Sequence, residues 1–183
     1  VLYYGASINP YRNDAIRRLQ QAAAEGAVLV KWLPSIMMVD PADRRIIPFY
    51  REMVRLGMPL LTHTGDEASF TRACNELADP RRLQLPLEQG VTVIAAHMAS
   101  AGKNQGQDNT ERLIALMQRY PNLYGDISAL TQINRYGALG RVLEDPQLHG
   151  RLLYGTDYPL INTLLCMPLW HVFAIGFKAM RIQ

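Results

Sequence analysis

Cysteine is scarce in this 183-residue sequence: Cys74 and Cys166 are the two, with no ligand-like spacing between them. That argues against a disulfide framework or a cysteine-built zinc site, and it fits a reducing compartment. Charge is sparse as well, at 19% of residues with a net of +3. The arginines, among them Arg17, Arg18, Arg44, Arg45, Arg51, Arg55, Arg112 and Arg119, are scattered over expected helix surfaces. With no basic stripe interleaved with aromatics, nucleic acid is not an expected partner. The most membrane-like stretch, Leu164 to Met180, is broken by Pro168, His171, Gly176 and Lys178. It falls short of the ~20 apolar residues of a membrane span and is expected to be a helix packed on a core. The opening VLYYGASINPYR has neither a basic region nor a cleavage site, so a signal peptide is not expected and a cytoplasmic location is. Nucleotide loops are lacking too: GASINP is no glycine-rich turn, and AGKNQG lacks the P-loop spacing.

What is present is a repeat. Hydrophobic residues make up 49% of the sequence, a globular composition, and one domain over residues 1–183 is expected. Short apolar runs recur at Leu2–Ser7, Ala27–Trp32, Pro59–His63, Val91–His97, Asn122–Ile127 and Arg151–Gly155. Their near-continuous apolar character predicts strands covered on both faces. Amphipathic segments alternate with them. Asp14–Glu25 presents Ala15, Ile16, Leu19, Ala22 and Ala23 on one face. Pro48–Leu56 starts with proline and stops at Gly57. Asp108–Tyr120 opens with Asp108 and Glu111 in capping-box spacing. Gln132–Glu144 is a weaker helix, interrupted by Gly137 and Gly140. Strand and helix alternating roughly every 30 residues predict βαβ units around a parallel sheet. The expected fold is α/β, a partial (β/α)8 TIM-type barrel with six βα units where a closed barrel has eight.

The strand ends carry the chemistry. Lys31, His63 and His97 end the second, third and fourth runs; Asp126 ends the fifth, and Asp157 follows the sixth. In a parallel barrel these ends gather on one face, where active sites form. Buried charges are costly unless paired or metal-bound, so this convergence points to function. Imidazole and carboxylate from separate strands suit Zn²⁺ or a similar divalent ion, with a weakly ligating carboxylate such as Asp157 taking a proton from water. Each residue alone also has a structural reading. A strand-end histidine is often a satisfied core group, Lys31 can pair with Asp126, and Asp126 and Asp157 can cap the helices that follow. Asp66, Glu67 and Lys103 sit in the loops HTGDEASF and MASAGKNQGQ, which are expected to face substrate. His149 and His171 are read as structural.

The segments INPYRNDAIRRL, GAVLVKWLPS, PFYREMVRLGMPLLTHTG, VIAAHMAS and LLYGTDYP, over about residues 1 to 163, resemble the amidohydrolase superfamily, in its amidohydrolase-related metal-dependent branch. The resemblance implies that His63 is a metal ligand. It implies that His97 is a second ligand or a catalytic group, and that Asp157 is both a ligand and the proton acceptor. Lys31 falls where some members carry a carbamylated lysine; here it is read, with Glu67, as a substrate contact rather than a ligand. The family's first-strand His-x-His pair has no counterpart in the sequence, which agrees with six units corresponding to family strands three to eight. The open edges of such a sheet predict association between copies.

The leading expectation is a metal-dependent hydrolase acting on a small polar molecule through metal-activated water. A decarboxylase of the same family is the first alternative, favoured by arginines near the rim. A non-enzymatic partial barrel is the second.

Overall fold

The computed structural model describes residues 2–68 and 72–158. The expectations for Cys166, His171 and the Leu164 to Met180 helix lie outside the described residues. Among the described residues eight strands form: β1 Tyr4–Ala6, β2 Ala27–Trp32, β3 Leu60–His63, β4 Val93–Ala96, β5 Lys103–Asn104, β6 Gln107–Asp108, β7 Leu123–Asp126 and β8 Leu152–Leu153. Six make one parallel sheet in the order β1-β2-β3-β4-β7-β8, and β5 and β6 form a separate antiparallel hairpin. All six expected runs become neighbours in sequence order, as consecutive βα units require. The partial barrel is therefore the observed fold. Among the described residues, β1 and β8 each pair on one side only.

The helices are α1 Ala15–Ala24, α2 Pro34–Met37, α3 Ile47–Arg55, α4 Gln84–Glu88, α5 Asn109–Arg119 and α6 Ala138–Glu144. α1 buries Ala15 and Leu19, but Ile16 is exposed, so the apolar stripe is narrower than expected. Asp14 does not cap it through its side chain; the carboxylate is held by Arg12, Arg17 and Arg18 instead. α3 turns Phe49, Tyr50 and Met53 inward, where Phe49 stacks on Trp32 of β2. The Trp32 indole N–H donates to the Ile8 carbonyl at 2.8 Å, so this buried aromatic leaves no unsatisfied donor. In α5, Asp108 Oδ1 accepts from the N–H groups of Thr110 and Glu111, which is the expected cap.

Further expectations change. The segment Gln132–Glu144 is split: a 3-10 turn spans Ile133–Arg135, then Gly137 at φ 84 opens α6. A left-handed residue cannot continue a right-handed helix, so the glycine resets the chain direction. Arg112, expected on a solvated helix face, is 3% exposed. Its Nη2 lies 2.6 Å from Asp79 Oδ2 and its Nη1 donates to Gln107, which ties α5 to the segment before α4. Burial is tolerated because the guanidinium is paired.

The core lies on one side of the sheet. Val30, Leu60, Val93 and Leu123 are register partners on one buried face, while Lys31, Leu61, Ile94 and Tyr124 on the other are only partly buried. The expected cover on both faces is thus not met among the described residues. Val30, Trp32, Leu60, Val93, Ala95 and Leu123 from the strands meet Leu19, Tyr50, Met53, Leu113 and Met117 from the helices. This packing fixes the strand ends relative to one another, and the site stands on those ends.

Candidate active site at the strand ends

Lys31, His63, His97 and Asp157 line one cavity of about 240 Å³, together with Leu33, Asp66, Glu67, Ala68, Ala101, Gln132, Asn134 and Arg135. The structure thus brings the two expected histidines, the aspartate, the lysine and Glu67 together at the C-terminal ends of the parallel strands. Lys103 does not join them. It lies exposed in the β5–β6 hairpin, while Asp66 of the other loop does face the cavity. His149 stays away, its Nε2 3.1 Å from the Leu143 carbonyl. A larger groove of about 490 Å³ borders α1 and residues Ser7 to Asn9, and it contains none of the strand-end ionisable groups.

His63 ends β3 and is buried. Its ring centroid is 5.2 Å from that of His97, edge to face. His63 Nε2 is buried without a hydrogen-bond partner among the described residues, 3.7 Å from Glu67 Oε2, which is too long for a hydrogen bond. An orphaned buried nitrogen costs about 1–3 kcal/mol and calls for an explanation.

His97 follows β4 at the start of three consecutive left-handed residues: His97 at φ 60, Met98 at φ 49 and Ala99 at φ 50. Such conformations cost about 1–3 kcal/mol each and persist only where surroundings hold them. Here the His97 N–H donates to Asp126 Oδ1 at 2.9 Å, and the Met98 side chain fills the space above Gly125 on β7. A Cβ at position 125 would collide with the Met98 sulfur, so β7 needs glycine at this close approach. Asp126 Oδ1 also accepts from the Ser128 N–H at 3.0 Å and the Ser128 hydroxyl at 2.5 Å. It therefore organises the turn that holds His97 rather than capping a helix or pairing with Lys31.

Burial sets the electrostatics. It lowers the pKa of His63, with His97 adding repulsion, and lowers that of His97, with Arg135 adding repulsion. Both imidazoles are thus neutral near pH 7, the form that ligates metals and accepts protons. Burial also depresses Lys31, against the attraction of Asp126, Asp157 and Glu67. It raises the carboxyl of Asp157, whose Oδ2 is 3.9 Å from His97 Nε2. Asp157 has φ 56, a second strained backbone at the rim.

For a divalent metal the donor chemistry fits and the donor number does not. Two neutral imidazoles, one with an orphaned Nε2, face the same cavity as Asp157. Yet among the described residues no three His, Cys, Asp or Glu side chains converge closely enough to hold an ion. The described residues thus provide part of a ligand set.

Sequence reasoning missed Ser128, Gln132, Asn134 and Arg135. Ser128 was visible only as a neighbour of Asp126, and the other three lay inside a segment read as one helix. The break at Gly137 was the signal that they belong to a loop at the rim.

A partial parallel α/β barrel places this imidazole-lined cavity at its strand ends, the position that active sites take in TIM barrels. The chain belongs to the Amidohydrolase family, whose sequence profile matches residues 2–174. The family includes hydrolases and decarboxylases and is typically metal-dependent. Among solved structures it is similar to an uncharacterised TIM-barrel protein from Bordetella bronchiseptica (TM-score 0.61, 20% identity, covering 98% of this chain and 64% of that one). It is also similar to a protein described as a 2-pyrone-4,6-dicarboxylic acid hydrolase from Pseudomonas putida (0.57, 16%, 96% and 61%). A third is 2,6-dihydroxybenzoate decarboxylase from Rhizobium (0.53, 16%, 97% and 69%). The chain spans less than two thirds of the length of the first two. Comparison with curated proteins gives no match. Among the described residues no helix is long and apolar enough to cross a membrane.

Proposed function

We propose that this chain carries the rim residues of a metal-dependent hydrolase acting on a small polar molecule in a cytoplasmic setting. The observation that carries this reading is the cavity shared by His63, His97 and Asp157, with the buried Nε2 of His63 left without a partner among the described residues. His63, His97 and Asp157 are the chain's own contribution to a divalent, zinc-like site. A metal bound there supplies Lewis acidity and makes water acidic enough to react near neutral pH. His97 and Asp157 hold and move the proton: their polar atoms lie within 4 Å of each other, one group neutral and the other with a raised pKa. Lys31 and Glu67 contact the substrate, and the small cavity suits a compact molecule. Among the described residues β1 and β8 each pair on one side only, which supports association between copies.

Decarboxylation is the second reading, supported by Arg135 in the cavity, which suits a carboxylate-bearing substrate. The test is a panel of lactones, esters, amides and carboxylic acids assayed with zinc and after chelation, following both hydrolysis and CO₂ release. Zinc-dependent hydrolysis is expected. Turnover that chelation leaves unchanged would overturn the metal reading, and CO₂ as the sole product would replace hydrolysis with decarboxylation.

A further inference from the structure

We propose that Lys31 is a nucleophilic amine that captures a small aldehyde or ketone in the rim cavity as an imine, an activity beyond metal-assisted hydrolysis. It rests on the reading of this cavity as a small-molecule site, and not on a metal. Lys31 stands on β2 between Val30 and Trp32, both fully buried on the helix-covered face. Its backbone is in register with Leu61 of β3, and the alternation of a strand turns its side chain to the opposite face, where it lines the cavity. Among the described residues the Lys31 amine makes no hydrogen bond and no ion pair. The carboxylates of Glu67, Asp126 and Asp157 each have an imidazole nitrogen within 4.0 Å instead.

A half-buried ammonium without a close partner loses hydration and gains no ion pair, so burial favours the uncharged amine. The pKa of Lys31 is lowered accordingly, and the attraction of Asp126, Asp157 and Glu67 offsets only part of the shift. The uncharged amine holds the lone pair that attacks a carbonyl carbon. A nitrogen–carbon bond forms and the carbonyl π pair passes to oxygen, giving a carbinolamine. Both amine protons then leave with that oxygen as water, and the nitrogen lone pair closes the carbon–nitrogen double bond. Amine and carbonyl compound thus give imine and one water, with no oxidation or reduction and no co-reactant. Lys103 supplies the internal contrast, since it carries the same side chain but lies exposed in the β5–β6 hairpin, away from the cavity.

The test treats the unaltered chain with propanal as probe and cyanoborohydride as the hydride donor that fixes the imine as a secondary amine. Each trapped site gains one propyl group, and peptide mass mapping reads Lys31, Lys103 and the α-amine of Val1 separately. Near pH 7, Lys31 is expected to be labelled about tenfold or more faster than Lys103, because each unit by which an amine pKa falls raises its uncharged fraction about tenfold. In urea the cavity is lost and the two rates should converge. Labelling of Lys31 no faster than that of Lys103 in the folded chain would overturn the proposal, as would an advantage that persists in urea. No metal or turnover is needed, so the result is independent of the hydrolase assay. Rapid trapping at Lys31 without zinc-dependent hydrolysis leaves the imine standing and removes the hydrolase. Zinc-dependent hydrolysis with an unreactive Lys31 does the reverse.

Discussion

Ser128 Oγ lies 2.8 Å from His97 Nδ1, and the carbonyl of the same serine lies 3.1 Å from that nitrogen. The carbonyl can only accept, and the serine hydroxyl already donates to Asp126 Oδ1, so the partners assign the proton to Nδ1. The Nε2 lone pair then faces Asp157 and the cavity. Ser128 therefore fixes both the ring orientation and the tautomer that the proposed chemistry needs.

Ser128→Ala should leave the fold intact, because the carbonyl contact remains. It loses the hydroxyl link between Asp126 and the ring, and turnover should fall about 10- to 100-fold, the range seen when a partner of a metal-ligating histidine is removed. Because the carbonyl still accepts from Nδ1–H, the tautomer should be kept, while the imidazole ¹⁵N shifts move as the hydroxyl contact is lost. Unchanged shifts with unchanged turnover would make Ser128 merely a filler. Asp126→Ala is harsher, since three donors converge on one oxygen. A loss of about 2–4 kcal/mol in urea denaturation is expected, from unsatisfied buried donors and release of the left-handed turn.

Asp157→Asn separates chemistry from structure. Asparagine tolerates left-handed backbone, so φ 56 poses no obstacle to the substitution. The amide cannot accept the proton that the carboxylate takes. Turnover should drop by about 10²- to 10⁴-fold while the denaturation midpoint moves little. A variant that retains full turnover would remove Asp157 from the mechanism.

The metal-free chain should lose stability as it is acidified. Both histidines have folded pKa values lowered by burial, to about 4, from 6.5. Between those values the unfolded chain binds more protons than the folded one, so stability falls as pH drops from about 6.5 towards 4. Burial raises Asp66 and Asp157, which works in the opposite sense but nearer the carboxylate range. A decline on the order of a few kcal/mol between pH 7 and pH 4.5 is expected by urea titration. His63→Gln, which removes one titrating group, should flatten the profile. A slope identical to that of the unaltered chain would show that His63 is not the group being charged.

The sheet was legible because its signal is repetitive. Val30, Leu60, Val93 and Leu123 sit in apolar runs at nearly constant spacing with helices between them, which requires parallel strands; full burial, however, is confined to the face these four share. The histidines and Asp157 were legible because strand ends in such a sheet share a face. Arg135 and Ser128 were not, since their roles come from loop conformations that no periodicity encodes. The turn at His97 was equally hidden: nothing in HMAS announces three left-handed residues, which are set by Asp126 and Gly125 from a strand about 30 residues away. Arg112 was misplaced for a related reason. Helix periodicity locates a face, but Asp79, the partner that makes its burial tolerable, comes from a distant segment.

Gly125→Ala tests whether that hidden turn is held by packing. The new methyl would meet the Met98 sulfur, and Met98 is fully buried, so the side chain has no free space into which to move. Overpacking of this kind costs about 1–3 kcal/mol. Because Met98 follows His97 directly within the left-handed run, relief of the clash should also shift the His97 ring relative to Ser128. Turnover should therefore fall more than the stability loss alone explains. Met98→Ala should destabilise by cavity formation, about 2–5 kcal/mol. The double variant should lose less than the two single losses combined, because the methyl then occupies space the sulfur has left. A coupling of about 0.5 kcal/mol or more in a urea double-mutant cycle is expected. Strict additivity would show that Gly125 and Met98 do not share the contact that shapes the turn.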